Sequence, residues 1–158
     1  MSVTVSQTQT AAQSVSTPHS TRSLATRPVW LVGVLATLAG AVVTEAFALV
    51  ARAAGVPMDV AGPGQAEAAE IQVGGFAGGV LFWSIAGIVL AVALARWAER
   101  PARTFTVITV VLTALSLVGP ALAPHTATST QIVLAVSHVV AAAVIIPALA
   151  LRLSHRRG

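Results

Sequence analysis

The chain has 158 residues, 56% hydrophobic and 9% charged, with a mean hydropathy of +0.85 and a net charge of +4. Soluble domains carry about 25% charged residues, so this composition reads as a membrane protein. There is no cysteine, which excludes disulfides, thiolate metal centres and cysteine nucleophiles; there is no lysine either, which excludes a Walker-type phosphate loop.

Residues 1–28 are rich in Ser, Thr, Gln, Ala and Val, carry Pro18 and Pro28 and show no apolar periodicity, the pattern of a disordered tail. Four apolar stretches follow, at about 29–51, 73–95, 104–123 and 132–151, each close to the roughly 20 residues that cross a bilayer core. The first is longer than the apolar run of a signal peptide, about 7 to 15 residues, and is expected to be retained. The expected fold is therefore all-α: a four-helix transmembrane bundle over 29–151 and a basic tail over 152–158.

Arginine distribution sets the expected orientation, because positive charge accumulates on the cytoplasmic side. Arg22 and Arg27 precede the first stretch, Arg96, Arg100 and Arg103 lie between the second and third, and Arg152, Arg156 and Arg157 follow the fourth. The other side holds Arg52 with Asp59, Glu67 and Glu70, and an uncharged turn "HTATSTQ" at 125–131. Both termini are thus expected to be cytoplasmic in a multi-pass protein of the cell membrane. Trp30 and Trp97 suit interfacial positions, and the basic tail suits anionic lipid. The arginines flank apolar runs rather than an aqueous face, so lipid, and not nucleic acid, is the expected partner.

Within the first stretch, "VVTEAFALV" places the carboxylate of Glu45 among apolar residues. Steps of three and four put Gly33, Thr37, Ala41, Glu45, Ala48 and Arg52 on one stripe, and small stripes mark close helix contact, so Glu45 is expected to face the bundle. At about 1.5 Å per residue, Glu45 lies roughly 9 Å below the outer surface, His138 of the fourth stretch roughly 9 Å and Ser116 of the third roughly 10 Å. Ser84 of the second is deeper, at roughly 16 Å. Glu45, Ser116 and His138 thus form an expected polar layer. Pro120 adds to it by removing the donor that would pair with the Ser116 carbonyl.

Two readings of this layer stand side by side. A charge in a membrane helix costs about 2.5–3.5 kcal/mol on insertion scales and calls for a compensating role, such as a proton site; imidazole changes charge near neutral pH, which would make His138 a relay. The other reading is structural pairing, including snorkelling of Glu45 toward Arg52. A second intramembrane histidine is missing, so no haem is expected, and no metal or other cofactor. The second stretch carries "GGFAGG", with Gly74 and Gly78, and Gly75 and Gly79, at GxxxG spacing, a signature of contact with another helix of the same chain or of a second copy. Pro147 in the fourth stretch is expected to kink it, as is Pro120 in the third. The acids Asp59, Glu67 and Glu70 fit an outer loop that simply lacks arginine.

The segment from Glu99 to Leu149 adds a resemblance. Glu99, Arg100, Ala102 and Arg103, then Leu115 to Pro120, and then His138, Ala141, Ala142, Ile146, Pro147 and Leu149 resemble the loop, helix end and fourth helix of a family of small four-helix integral membrane proteins from actinobacteria, known only as a domain of unknown function. "GPGQ" at 62–65 is similar to that family's first outer loop. The resemblance implies the same topology and no activity. The carboxylate in "AVVTEAFALVARAAG" is similar to that of the small multidrug resistance transporters, although its chain is longer, its first loop longer and its carboxylate less central. The expectation is a structural or accessory membrane protein rather than an enzyme, with a homo-oligomer or another membrane protein as partner; a proton-coupled small-molecule transporter using Glu45 is the alternative.

Overall fold

Pro28 opens the first helix, α1 (Val29–Ala53), with φ at −56° and its carbonyl accepting from the N–H groups of Leu31 and Val32. Proline costs nothing here, because its missing donor would have no helical partner. Gly55, at φ +86°, closes the helix with its N–H on the Arg52 carbonyl, the left-handed stop that glycine adopts without strain. The structure is a computed structural model that describes residues 27–62 and 65–155. Most of the tail expected to be disordered, together with Arg156 and Arg157, lies outside the described residues.

Two short strands follow, β1 (Asp59–Val60) and β2 (Ala69–Glu70), antiparallel with Asp59 opposite Glu70 and Val60 opposite Ala69. Helix α2 (Gly75–Trp97) is joined through residues 98–100 to α3 (Pro101–Ser116), where proline again takes the first helical position. The helix is interrupted for one residue at Leu117 and resumes as the short α4 (Val118–Ala121), which contains Pro120. Helix α5 (Thr128–Ser154) runs without interruption through Pro147. It begins four residues ahead of the apolar run at Ile132, because Thr128, Ser129 and Thr130 are compatible with a first helical turn that hydropathy does not register.

The described part is almost wholly helical, with four helical segments long and apolar enough to cross a membrane: Val29–Ala53, Gly75–Trp97, Pro101–Ala121 and Thr128–Ser154. Large apolar side chains such as Val42, Phe82, Ile85, Val110 and Leu122 point outward, which fits a membrane protein rather than a water-facing surface.

Helix α1 is the centre of the packing. Its buried face is nearly all small: Gly33, Ala36, Thr37, Gly40, Ala41, Thr44 and Ala48. A Cβ at Gly33 would come within 2.8 Å of Ile88 of α2, and one at Gly40 within 3.0 Å of Ile145 of α5, so both neighbours lie against the α1 backbone. Helix α3 packs along α5, whereas α2 and α3 meet only sparingly. The order around the bundle is α2, α1, α5, α3, with a gap between the two ends of the series.

Two apolar clusters close the bundle. At the end carrying the termini, Val29, Ala91, Phe105, Leu149 and Leu153 pack together; at the loop end, Ala48, Met58, Phe76 and Val133 do so. Met58 reaches the second cluster from the loop, with no exposure, and holds φ at +61°, a conformation that costs a non-glycine residue about 1–2 kcal/mol. Its burial offsets that cost. Met58→Ala keeps the backbone conformation and empties the site; the expected loss is about 2–5 kcal/mol, read as a lower unfolding midpoint of the detergent-solubilised protein.

Candidate functional site

Glu45 lies half-buried at the edge of the α1 small-residue face, beside the start of α2. Its Oε1 accepts the Gly74 N–H at 2.7 Å and its Oε2 accepts the Ala77 N–H at 2.9 Å. Gly74 is the N-cap of α2 and has no capping side chain of its own, so a carboxylate from the preceding helix supplies the acceptors that a capping box would. The Gly75 N–H goes to the Gln72 carbonyl and the Gly78 N–H to the Gly74 carbonyl. A negative group is also favoured there by the helix dipole.

The loop that leads into α2 is held from the same helix. Arg52 pairs with Glu70 at 2.7 Å and donates to the Ile71 carbonyl, so its guanidinium engages the hairpin and not Glu45. The loop also reaches the turn before α5, where the Ala61 N–H donates to Thr126 Oγ1 at 3.3 Å. Residues 69–70 are a strand, and α2 does not extend outward through them.

Ser116 and His138 lie on a separate feature, a cleft of about 850 Å³ that Glu45 does not line. Its walls come from α2, α3 and α5, with Thr44 of α1 at the back. Phe105 and Leu149, both buried, lie toward the end carrying the termini, while the exposed Trp83, Leu112 and Leu115 stand at the opening between α2 and α3. Ser116 donates to the Thr113 carbonyl at 2.7 Å, and His138 Nδ1 lies 2.7 Å from the Leu134 carbonyl. A carbonyl only accepts, so Nδ1 carries the proton of this bond and Nε2 of the neutral ring is an acceptor. The structure thus brings Ser116 and His138 to one cleft and gives Glu45 partners of its own.

Other polar residues share the cleft: Ser84, Thr109, Thr113 and Ser137. Thr109, Thr113 and Ser116 repeat at steps of three and four along "TVITVVLTALS", a hydroxyl stripe that marks a polar helix face. Ser84 lies nine residues into α2 and His138 ten into α5, so both are roughly 14–15 Å from their loop-end helix termini. The earlier start of α5 accounts for this shared level.

The glycines of "GGFAGG" divide by position. Gly74 has φ +90°, and a Cβ at Gly75 would stand 2.8 Å from Ile71 Cγ2; both serve the tight entry into α2. Nothing lies within 4 Å of a Cβ built at Gly78 or Gly79, and the close helix contacts of this chain fall at Gly33 and Gly40 instead. Among the described residues, no group of three or more His, Cys, Asp or Glu side chains is placed to hold a metal ion.

The chain matches a family of unknown function (DUF6069) over residues 24–155. No curated protein and no solved structure matches it.

The different surroundings of the glycines have a measurable consequence. Gly74→Ala must hold alanine at positive φ next to the Glu45 carboxylate and is expected to lower stability by about 1–2 kcal/mol. Gly78→Ala meets open space inside a helix and is expected to be neutral or to stabilise by up to about 1 kcal/mol. Thermal unfolding midpoints of the two variants in one detergent check the contrast.

Proposed function

For this chain, which belongs to the DUF6069 family, we propose the role of a structural or accessory component of the cell membrane, without catalytic activity. In this reading the four helices span the bilayer, both termini are cytoplasmic, and the polar side chains of the interior fix how the helices pack. The arginine count of the connecting segments supports the orientation.

The observation that carries the role is the placement of Glu45. Both carboxylate oxygens accept backbone N–H groups at the start of α2, so the one acidic side chain in the interior of α1 is engaged in joining two helices. Such a bond is fixed by the fold and needs no substrate. A proton-coupled transporter, the competing role, would need this carboxylate to release its partners during a cycle.

Glu45→Gln and Glu45→Ala separate the two roles. Glutamine keeps one oxygen acceptor and loses the charge, whereas alanine leaves both N–H groups without it; hydrogen bonds to charged groups contribute about 1.5–3 kcal/mol each. The expected order of unfolding midpoints is wild type, then Gln, then Ala. In proteoliposomes loaded with a pH-sensitive dye, wild type and Glu45→Gln are expected to pass protons equally slowly under an imposed gradient. A flux abolished by Glu45→Gln in a folded protein would establish transport instead. The absence of native cysteine lets single cysteines, Ala66→Cys or Ala127→Cys, test the orientation; both are expected to react with an impermeant maleimide from outside the cell.

A further inference from the structure

The hydrogen-bonding inventory of the cleft is lopsided. A hydroxyl has one proton to donate, and four of those lining the cleft have spent it on their own helices: Thr109 on the Phe105 carbonyl, Thr113 on Thr109, Ser116 on Thr113 and Ser137 on Leu134, at 2.6–2.8 Å. Their lone pairs remain. His138 has likewise committed Nδ1 and is left with Nε2 as an acceptor. Against these five acceptors stand two lining hydroxyls with no hydrogen bond, Ser84 and Thr44, and the Thr44 Oγ1 is fully buried.

Charge and shape narrow the occupant further. No lining residue is an acid, a lysine or an arginine, so a charged guest would find no counter-ion at a depth where an unpaired charge is costly. The cleft opens between α2 and α3 past Trp83, Leu112 and Leu115, and toward the other end its walls become apolar, with Leu90, Phe105, Ile146 and Leu149. Its volume of about 850 Å³ lies within the range of about 300–1,000 Å³ that takes a small molecule.

We propose that the cleft between α2 and α3 is a binding site for a neutral, elongated molecule of the lipid phase that bears a hydrogen-bond-donating hydroxyl, an alcohol or phenol on an apolar body. The hydroxyl donates to His138 Nε2 and receives from Ser84, and the apolar body runs along Leu90 and Ile146 toward Phe105 and Leu149. Entry is sideways, between α2 and α3, without passage through water. The site rests on the membrane reading but not on the role of Glu45, which lies outside the cleft.

The test compares two probes of one shape: a long-chain alcohol brominated along its chain, and the methyl ether of that alcohol, which has the same apolar body and no donor. Trp83 reports on them by bromine quenching once Trp30→Phe and Trp97→Phe have removed the other tryptophans. The alcohol is expected to quench saturably at about tenfold lower concentration than the ether, the difference made by one hydrogen bond that leaves an acceptor unpaired. His138→Phe is expected to bring the alcohol to the level of the ether. On the full chain with its own tryptophans, the alcohol is expected to raise the unfolding midpoint more than the ether does. Equal, non-saturating quenching by both probes, together with equal shifts of the midpoint, would mean that lipid chains merely fill the gap and would overturn the proposal. That result would leave the order of the Glu45 variants untouched.

Discussion

The architecture depends on a carboxylate that meets the start of a helix. A helix in an apolar medium satisfies its own backbone except at its ends, where the first N–H groups have no internal partner. At the start of α2 those groups would be left in a part of the chain dominated by apolar side chains and glycine. Glu45 supplies two acceptors from α1, so the end of one helix is completed by the side of another. The arrangement couples the register of α1 against α2 to a pair of directional bonds, whereas the small residues along the same face specify only that the two may approach closely.

Around this joint the remaining contacts are arranged unequally. Gly33 and Gly40 let Ile88 and Ile145 close on α1 from two sides, which makes α1 the shared wall of α2 and α5. Met58 seals the loop end and Arg52 holds the hairpin strand beside it. Helix α3 has no comparable tie to α2 and leans on α5. The cleft is the result of that asymmetry: a series of three close helix contacts that does not close into a ring. Four of its hydroxyls, those of Thr109, Thr113, Ser116 and Ser137, are compatible with helices because each returns its proton to a carbonyl three or four residues earlier.

Much of the fold was legible from the chain, for a simple reason. Runs of apolar residues interrupted by arginine, proline or polar loops have few alternatives to spanning helices, and the four segments follow from them. The ends were less visible: Thr128 to Thr130 are polar yet helical, and Gly74 ends the approach to α2 through a backbone angle that hydropathy does not encode. The burial of Glu45 could be anticipated from the stripe of Gly33, Thr37, Ala41 and Ala48. Its partners could not, because a backbone N–H has no signature in a sequence, and a depth argument naturally pairs side chain with side chain. Polarity and depth together point to Ser116 and His138, whereas the part of Thr109 and Thr113 is legible only from their spacing with Ser116. The GxxxG pairs show the converse: the same glycines that suggest a contact surface are also what a tight helix entry requires.

The link between α2 and α3 spans only residues 98–100, and Ala91 and Phe105 pack together just beyond it. From there the two helices part company, like the blades of an open pair of shears with the pivot at the end that carries the termini. The width of the opening is therefore governed by whatever holds the far end of α2 in place. That grip comes from α1 and the loop, through the Glu45 carboxylate on the Gly74 and Ala77 N–H groups and through Phe76 packed with Ala48 and Met58. Changes in the length or sequence of residues 54–74 would then alter the width of that opening without altering a single residue of its α3 and α5 walls.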